Sequence, residues 1–169
     1  MDTETLRQVQ SPLKQRYRDE PDAAMITLVA DGSLDGADVT CSVQTGQALV
    51  AAGLHPATGG DGLSACSGDM LLQALVACAG VTLRAVATSL GLDVQAGTVH
   101  AEGDLDFRGT LGVDKQAPVG FTDIRLRIDL GAGSTLSDDE RATLLRLTER
   151  YCVVLQTLRR TPVTSATMA

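Results

Sequence analysis

The feature that most constrains this chain is the run from Gly68 to Leu90, apolar on nearly every side and rich in small residues. Ser67 stands where an N-cap is wanted, Asp69 lies in the first turn, and Gly91 supplies a stop. These signals predict a helix over about 68–90. A surface helix carries one apolar stripe, so a helix apolar nearly all round is expected to be buried on most sides. Ala74, Ala77, Ala79 and Gly80 surround Cys78 with small side chains, which lets a second helix approach closely.

The rest of the chain reads as strands followed by a second helix. Met25–Ala30, Val39–Val43 and Gln47–Ala52 are expected strands, separated by turn signals at Asp31-Gly32-Ser33 and Asp35-Gly36. Cys41 falls on the face of Val39 and Val43, which makes it a core candidate. Residues 53–62 hold Pro56, Gly59, Gly60 and Gly62 and must be loop. Val99, Ala101, Gly103, Leu105 and Phe107 alternate with charged residues, as do Ile124, Leu126, Ile128 and Leu130, so each segment is expected to have one core face and one wet face. Ser137-Asp138-Asp139-Glu140 is a capping box, and its helix should run to about Arg150. Val153 and Val154 predict a break near Cys152, and Val163–Met168 after Pro162 is an expected last strand. The order is α+β, with helices on a mainly antiparallel sheet. Residues 1–23 form an arm, with a helical segment expected over Leu6–Arg18 and interrupted at Pro12, ahead of one domain at 24–169.

Apolar residues make up 44% of the 169, yet there are two Tyr, two Phe and no Trp. Such a core is mostly aliphatic and small, which favours association of copies. The net charge of −7 argues against nucleic acid and against anionic membranes as partners. The apolar run Met70–Leu83 is too short to span a bilayer, and the charged Met1–Thr5 stretch is unlike a secretory leader, so the expected location is cytoplasmic. The glycines of residues 59–62 lack the Lys-Ser/Thr of a phosphate loop. His55 and His100 fit no zinc spacing. His55 reads as a loop hydrogen-bonder.

Cys41, Cys66, Cys78 and Cys152 remain as the chemistry-bearing residues, with no CxxC among them. Cys66 lies in the loop before the helix and is the thiol expected at the surface. Apolar burial raises a thiol pKa, and Cys78 lies far from its own helix N-terminus, so its activation calls for a nearby cation, most simply Arg. Periodicity alone assigns Cys78 to core filling, whereas Cys152 follows a charged turn. Asp69 reads equally as a dipole charge and as a site carboxylate. It lies nine residues before Cys78, half a turn round and ~13–14 Å away on a straight helix. If Asp69 serves Cys78, it does so from a second chain.

Asp69-Met-Leu-Leu-Gln-Ala-Leu-Val-Ala-Cys78-Ala-Gly resembles the acidic residue, apolar helix and peroxidatic Cys of the OsmC/Ohr family of thiol-dependent peroxide reductases. Glu149-Arg-Tyr-Cys152-Val-Val-Leu-Gln-Thr-Leu resembles the second-Cys segment of its OsmC-like branch, and the likeness covers about residues 24–169. It implies an OsmC-like fold, with mainly antiparallel sheets and two long central helices, in an intertwined homodimer. It implies that Cys78, Cys152 and Asp69 form the site, and that a hydroperoxide, organic above all, converts Cys78 to a sulfenic acid. Cys152 then closes a disulfide, which a thiol or dithiol reductant resets with no metal or flavin.

Three positions depart from the family pattern. The usual acidic residue is Glu, the turn after the first strand usually carries Arg, and Pro often follows the second Cys. Here the residues are Asp69, Asp31-Gly32-Ser33 and Val153. Arg16 or Arg18 of the arm could substitute, Arg84 points elsewhere on the helix, and the sequence assigns the role to none of them. The missing turn Arg keeps a second reading open: a non-catalytic protein that binds a small ligand or senses redox state.

Overall fold

The computed structural model describes residues 2–5, 8, 10–11, 19, 32–33, 40–44, 49–94, 96–112, 114–131 and 133–168. The expected strand at 25–30, the turn at 35–36 and most of the arm lie outside them, although residues 3–5, 8, 10–11 and 19 are helical. Four short strands come first: β1 (Gly32–Ser33), β2 (Thr40–Gln44), β3 (Leu49–Gly53) and β4 (Ala65–Cys66). They form one sheet in the order β1-β2-β3-β4. β1/β2 and β2/β3 are antiparallel, with Ser33 opposite Ser42 and Cys41 opposite Ala52. β3/β4 is parallel. Gly32 and Ser33, expected in a turn, are therefore strand, because β2 offers them a paired edge that overrides local propensity. The side chain of Cys41 is outside the described part, so its expected core position is not tested.

The loop expected at 53–62 contains one 3-10 turn, Pro56–Thr58. His55 caps it, its Nδ1 accepting from the Ala57 N–H at 3.0 Å, and its ring stacks on Phe107 at 5.1 Å. The hydrogen-bonding role read for His55 is thus the one observed.

Helix α1 spans Ser67–Leu90, one residue earlier than expected. Gly91 ends it at φ +70°, with Leu92 N–H on the Ala87 carbonyl at 2.9 Å and Gly91 N–H on that of Thr88 at 3.1 Å. That is a Schellman closure, and it needs a residue tolerant of the left-handed region. Within one chain the helix is not buried on most sides. Leu75, Ala79, Leu83 and Ala87 are buried at a strict four-residue spacing, while Val81 is 72% and Leu90 46% exposed. The helix also extends past the run on which the bilayer argument rested: its 24 residues are long and apolar enough to cross a membrane by length and composition, a test that the core helix of a soluble protein passes too.

β5 (Thr98–Leu105) and β6 (Phe121–Asp129) form a second sheet with the expected alternation of half-buried and exposed residues. Gly97 lies beside Asp129 and Gly103 beside Phe121 and Asp123, so the strands run antiparallel. Phe107, expected in the strand, is outside it. The Asp106 carboxylate accepts the Arg108 N–H at 3.0 Å and starts a helical turn at Phe107–Thr110. An aspartate that caps a turn competes with the ladder.

Helix α2 (Asp138–Tyr151) begins with the predicted capping box: Glu140 N–H donates to Ser137 Oγ at 3.3 Å, and Ser137 N–H donates to Glu140 Oε2 at 2.8 Å. Its Leu144 joins Leu83 and Ala87 in a core, surrounded by Val86, Leu92, Val94, Ile128, Leu130 and Leu136. The break falls at Cys152 (φ −71°, ψ 106°), and α3 (Val153–Arg159) follows. Gln156 Nε2 donates to the Glu149 carbonyl at 2.7 Å and Arg159 pairs with Glu149 at 2.8 Å, so the break is clipped from both sides. The last strand expected at Val163–Met168 does not form, and residues 161–168 are exposed. Among the described residues from Gly32 on, the order is ββββ-α-ββ-α-α, with the Phe107–Thr110 helical turn between β5 and β6, which keeps the α+β class.

The chain resolves into two compact units, Met1–Gln15 with Ala74–His100 and Arg127–Ala169, and Arg16–Gln73 with Ala101–Leu126. The α1/α2 core and both Cys78 and Cys152 belong to the first. The four-stranded sheet, Cys66 and Asp69 belong to the second.

Candidate active site

Cys78 sits mid-way along α1, next to the buried Ala79, and is half-buried. Cys152 is fully buried at the α2/α3 break. Both are free thiols, and each lies close enough to the other to shift its acidity. Two residues that are 74 apart in sequence thus meet, because α2 lays Leu144 on Leu83 and Ala87 and carries its own C-terminus to Cys78.

The two sulfurs are displaced in opposite directions. Burial pushes the Cys78 thiol up and is the largest single influence on it. The Val154 N–H, the Cys152 side chain, the Thr82 hydroxyl and the Val153 N–H act together against burial, and the result lies below the ordinary 9.0. Burial also leads at Cys152. There the Leu155 and Val154 amides oppose it, the Cys78 side chain and charge reinforce it, and the thiol ends above its ordinary value. Cys78 is therefore the sulfur that ionises first, and Cys152 the one held neutral beside it.

The sequence called for a cation. Among the described residues, the groups named as lowering the Cys78 pKa are neutral donors. The break at Cys152 leaves the first N–H groups of α3 without intrahelical acceptors, and those of Val153 and Val154 are among the groups that lower the Cys78 pKa. Thr82 is one helical turn beyond Cys78 on α1. The spacing of Thr82, and the valines that break α2, were signals available in the sequence; the convergence of both on one sulfur was not. Arg84 is exposed and donates to the Val94 carbonyl at 2.5 Å. Arg16 and Arg18, the candidate substitutes in the arm, lie outside the described residues.

Asp69 is in the first turn of α1, as expected, and is exposed. Cys66, expected at the surface in a loop, is half-buried in β4, with its sulfur near Gly68. Among the described residues no three His, Cys, Asp or Glu side chains cluster so as to hold a metal ion. An apolar groove of about 350 Å³ runs past Gly80, Leu83, Val99 and Ile128, and a wider cleft of about 590 Å³ opens at the far end of α1 by Arg84 and Thr88. Neither is lined by Cys78 or Cys152.

No curated protein matches the chain. Among solved structures, an OsmC-like protein from Mycoplasma pneumoniae superposes with a TM-score of 0.65 at 15% identity, covering 80% of this chain and 89% of that one. An organic hydroperoxide resistance protein OsmC from Legionella pneumophila gives 0.60 at 18% identity, covering 81% and 92%. An organic hydroperoxide resistance protein from Elizabethkingia anophelis gives 0.61 at 15% identity, covering 82% and 91%. At such identities the likeness establishes the fold. In sequence, residues 59–167, more than half of the chain, match the family of OsmC-like proteins. The chain that carries this thiol pair belongs to the OsmC family.

Proposed function

We propose that this protein is a cysteine-based peroxidase that reduces organic hydroperoxides, and hydrogen peroxide as a smaller substrate. The observation that carries the reading is the neighbouring pair Cys78/Cys152 with oppositely displaced acidities. The lowered thiol is the nucleophile. The Cys78 thiolate attacks one oxygen of the hydroperoxide, the O–O bond breaks, and the other oxygen leaves with a proton as an alcohol. Cys78 is then a sulfenic acid. The Cys152 sulfur attacks the Cys78 sulfur, the S–O bond breaks, and water leaves. A thiol or dithiol reductant returns two electrons and two protons. None of these steps uses a metal or a flavin. Two hydroperoxide resistance proteins share the fold at low identity, which is consistent with this chemistry.

The working unit in this reading is a cytoplasmic, intertwined homodimer. The apolar residues that α1 leaves exposed in one chain, Leu71 and Val81, give a second copy a surface to cover. Asp69 would then reach the other chain's Cys78 across an antiparallel pair of α1 helices, a geometry that a single straight helix forbids.

A second reading keeps the fold and drops the turnover: a small-ligand binding or redox-sensing protein. It is favoured by the turn residues 31–33, which lack the Arg of the enzymatic pattern. Stopped-flow reduction of an alkyl hydroperoxide, with peptide mapping of the product, separates the two. The peroxidase forms an intrachain Cys78–Cys152 disulfide within a turnover and loses consumption entirely in Cys78→Ser. Consumption that persists in Cys78→Ser overturns it, and a wild type that binds or slowly oxidises without turnover selects the second reading.

A further inference from the structure

Thr148 is 1% exposed, and its Oγ1 has no hydrogen-bond partner among the described residues. A threonine inside a helix ordinarily turns its hydroxyl to the carbonyl one turn back, here that of Leu144. This one does not, although a buried hydroxyl without a partner is unfavourable. Its position gives a reason. Leu144, Thr148 and Cys152 form one buried stripe at four-residue spacing, at 1%, 1% and 0% exposure. The Cys152 N–H still bonds the Thr148 carbonyl at 2.9 Å, so Cys152 keeps its place above that turn. A side chain there leans toward the helix N-terminus, over Thr148.

We propose that the Thr148 hydroxyl is the hydrogen-bond partner of the Cys152 sulfur during disulfide formation, and that it activates the resolving thiol. The inference rests on the reading that Cys78 and Cys152 cycle between dithiol and disulfide. In that step the Cys152 S–H bond breaks, the new S–S bond forms and the Cys78 S–O bond breaks, the proton leaving with the oxygen as water. Negative charge builds on a sulfur that has no exposed surface. A hydroxyl can donate, so Thr148 gives its own O–H to the developing thiolate. An interaction that is strong only as charge develops accelerates the step without stabilising the resting state, which accounts for a hydroxyl left unpaired in the reduced protein.

The test needs no peroxide. In a background of Cys41→Ser and Cys66→Ser, the full chain is mixed with the aromatic disulfide 5,5′-dithiobis(2-nitrobenzoate). The first coloured thiolate released reports attack by Cys78, and the second reports attack by Cys152 on the mixed disulfide at Cys78. Thr148→Val, which keeps the shape and removes the hydroxyl, should leave the first release unchanged and slow the second by about tenfold or more. Thr148→Ser should restore the second release. A purely structural hydroxyl predicts a shifted melting temperature and an unchanged second release. The proposal is overturned if the second release keeps its wild-type rate in Thr148→Val, or if Thr148→Ser is as slow as Thr148→Val. Should Thr148→Val fail to fold, Thr148→Ser against Thr148→Ala gives the same comparison. Loss of the effect with normal hydroperoxide turnover removes this role and keeps the peroxidase. The effect without hydroperoxide turnover removes the peroxidase and keeps this role.

Discussion

Around Cys78 the groups that lower the thiol pKa are, among the described residues, two backbone N–H groups, a hydroxyl and a second thiol. Around Arg125, on the wet face of the β5/β6 pair, three carboxylates converge on one guanidinium: Glu102 at 2.8 Å, Asp104 at 2.6 Å and Asp123 at 2.6 Å. By formal charge the second cluster is far the stronger. Yet its members are 43–59% exposed, and water and salt screen them. The thiol pair sits where water is largely excluded, so each neutral hydrogen bond there counts for more. The difference is one of solvent rather than of charge. A search for a site by charge density alone would pass over the thiol pair.

The largest expected effect tests whether the neutral cluster performs chemistry at all. Cys78→Ser should reduce hydroperoxide consumption on the order of 10³-fold or more, because the hydroxyl that replaces the thiol does not ionise in this pH range. Cys152→Ser should still consume about one equivalent of peroxide and then stop, with sulfenic acid trapped on Cys78 by dimedone. Full turnover in Cys152→Ser would break the resolving role.

Alkylation against pH sharpens the same point. The folded Cys78 pKa lies below the ordinary 9.0, so its thiolate fraction, and its labelling by iodoacetamide, should rise at lower pH than for a free thiol. Cys152 lies above the ordinary value and should label last, at higher pH. Cys152→Ala removes one donor to the Cys78 sulfur and should move the Cys78 inflection upward. Labelling in the reverse order, followed by mass mapping, would show that burial prevails at Cys78.

Gly103→Ala probes the inner face of the same strand that carries Asp104 on its outer face. A Cβ at residue 103 would stand 2.6 and 2.7 Å from Phe121 ring atoms, and the ring would have to move. Overpacking of that kind costs about 1–3 kcal/mol, a drop of several degrees in melting temperature. An unchanged melting temperature would mean that the Phe121 ring gives way freely.

How much of this was legible in the sequence follows from the range of each signal. The capping box at Ser137 and Glu140, the glycine stop at Gly91 and the break at Val153 depend on neighbours within one or two turns, and each appears where the sequence puts it. The strand expected at Val163–Met168 has the right residues, but a strand also requires an edge to pair with, and residues 161–168 find none in the single chain. Phe107 was drawn into β5 by its alternation, while the capping aspartate beside it ends the strand. At the site, Cys78 and Cys152 were each visible. Their proximity, and that of the Val153 and Val154 amides to Cys78, depend on how α2 lies on α1, and no local pattern encodes that.

The smallest effect is expected where the charges are densest. Arg125→Ala leaves Glu102, Asp104 and Asp123 facing one another on an exposed surface. The Asp104 carboxyl, now held below its usual range by the Arg125 hydrogen bonds, should return upward. A carboxylate of depressed folded pKa adds stability that is present above its unfolded pKa and lost as pH falls through the folded value. The variant should therefore differ from wild type most at neutral pH and least in acid below both values. Even at neutral pH the melting temperature should change by only about 2 °C or less, and added salt should shrink the gap by screening the three carboxylates. A larger loss that salt does not relieve would mean that the guanidinium's stem, rather than its charge, supports the sheet face. The contrast with the thiol pair would then rest on packing instead of solvent.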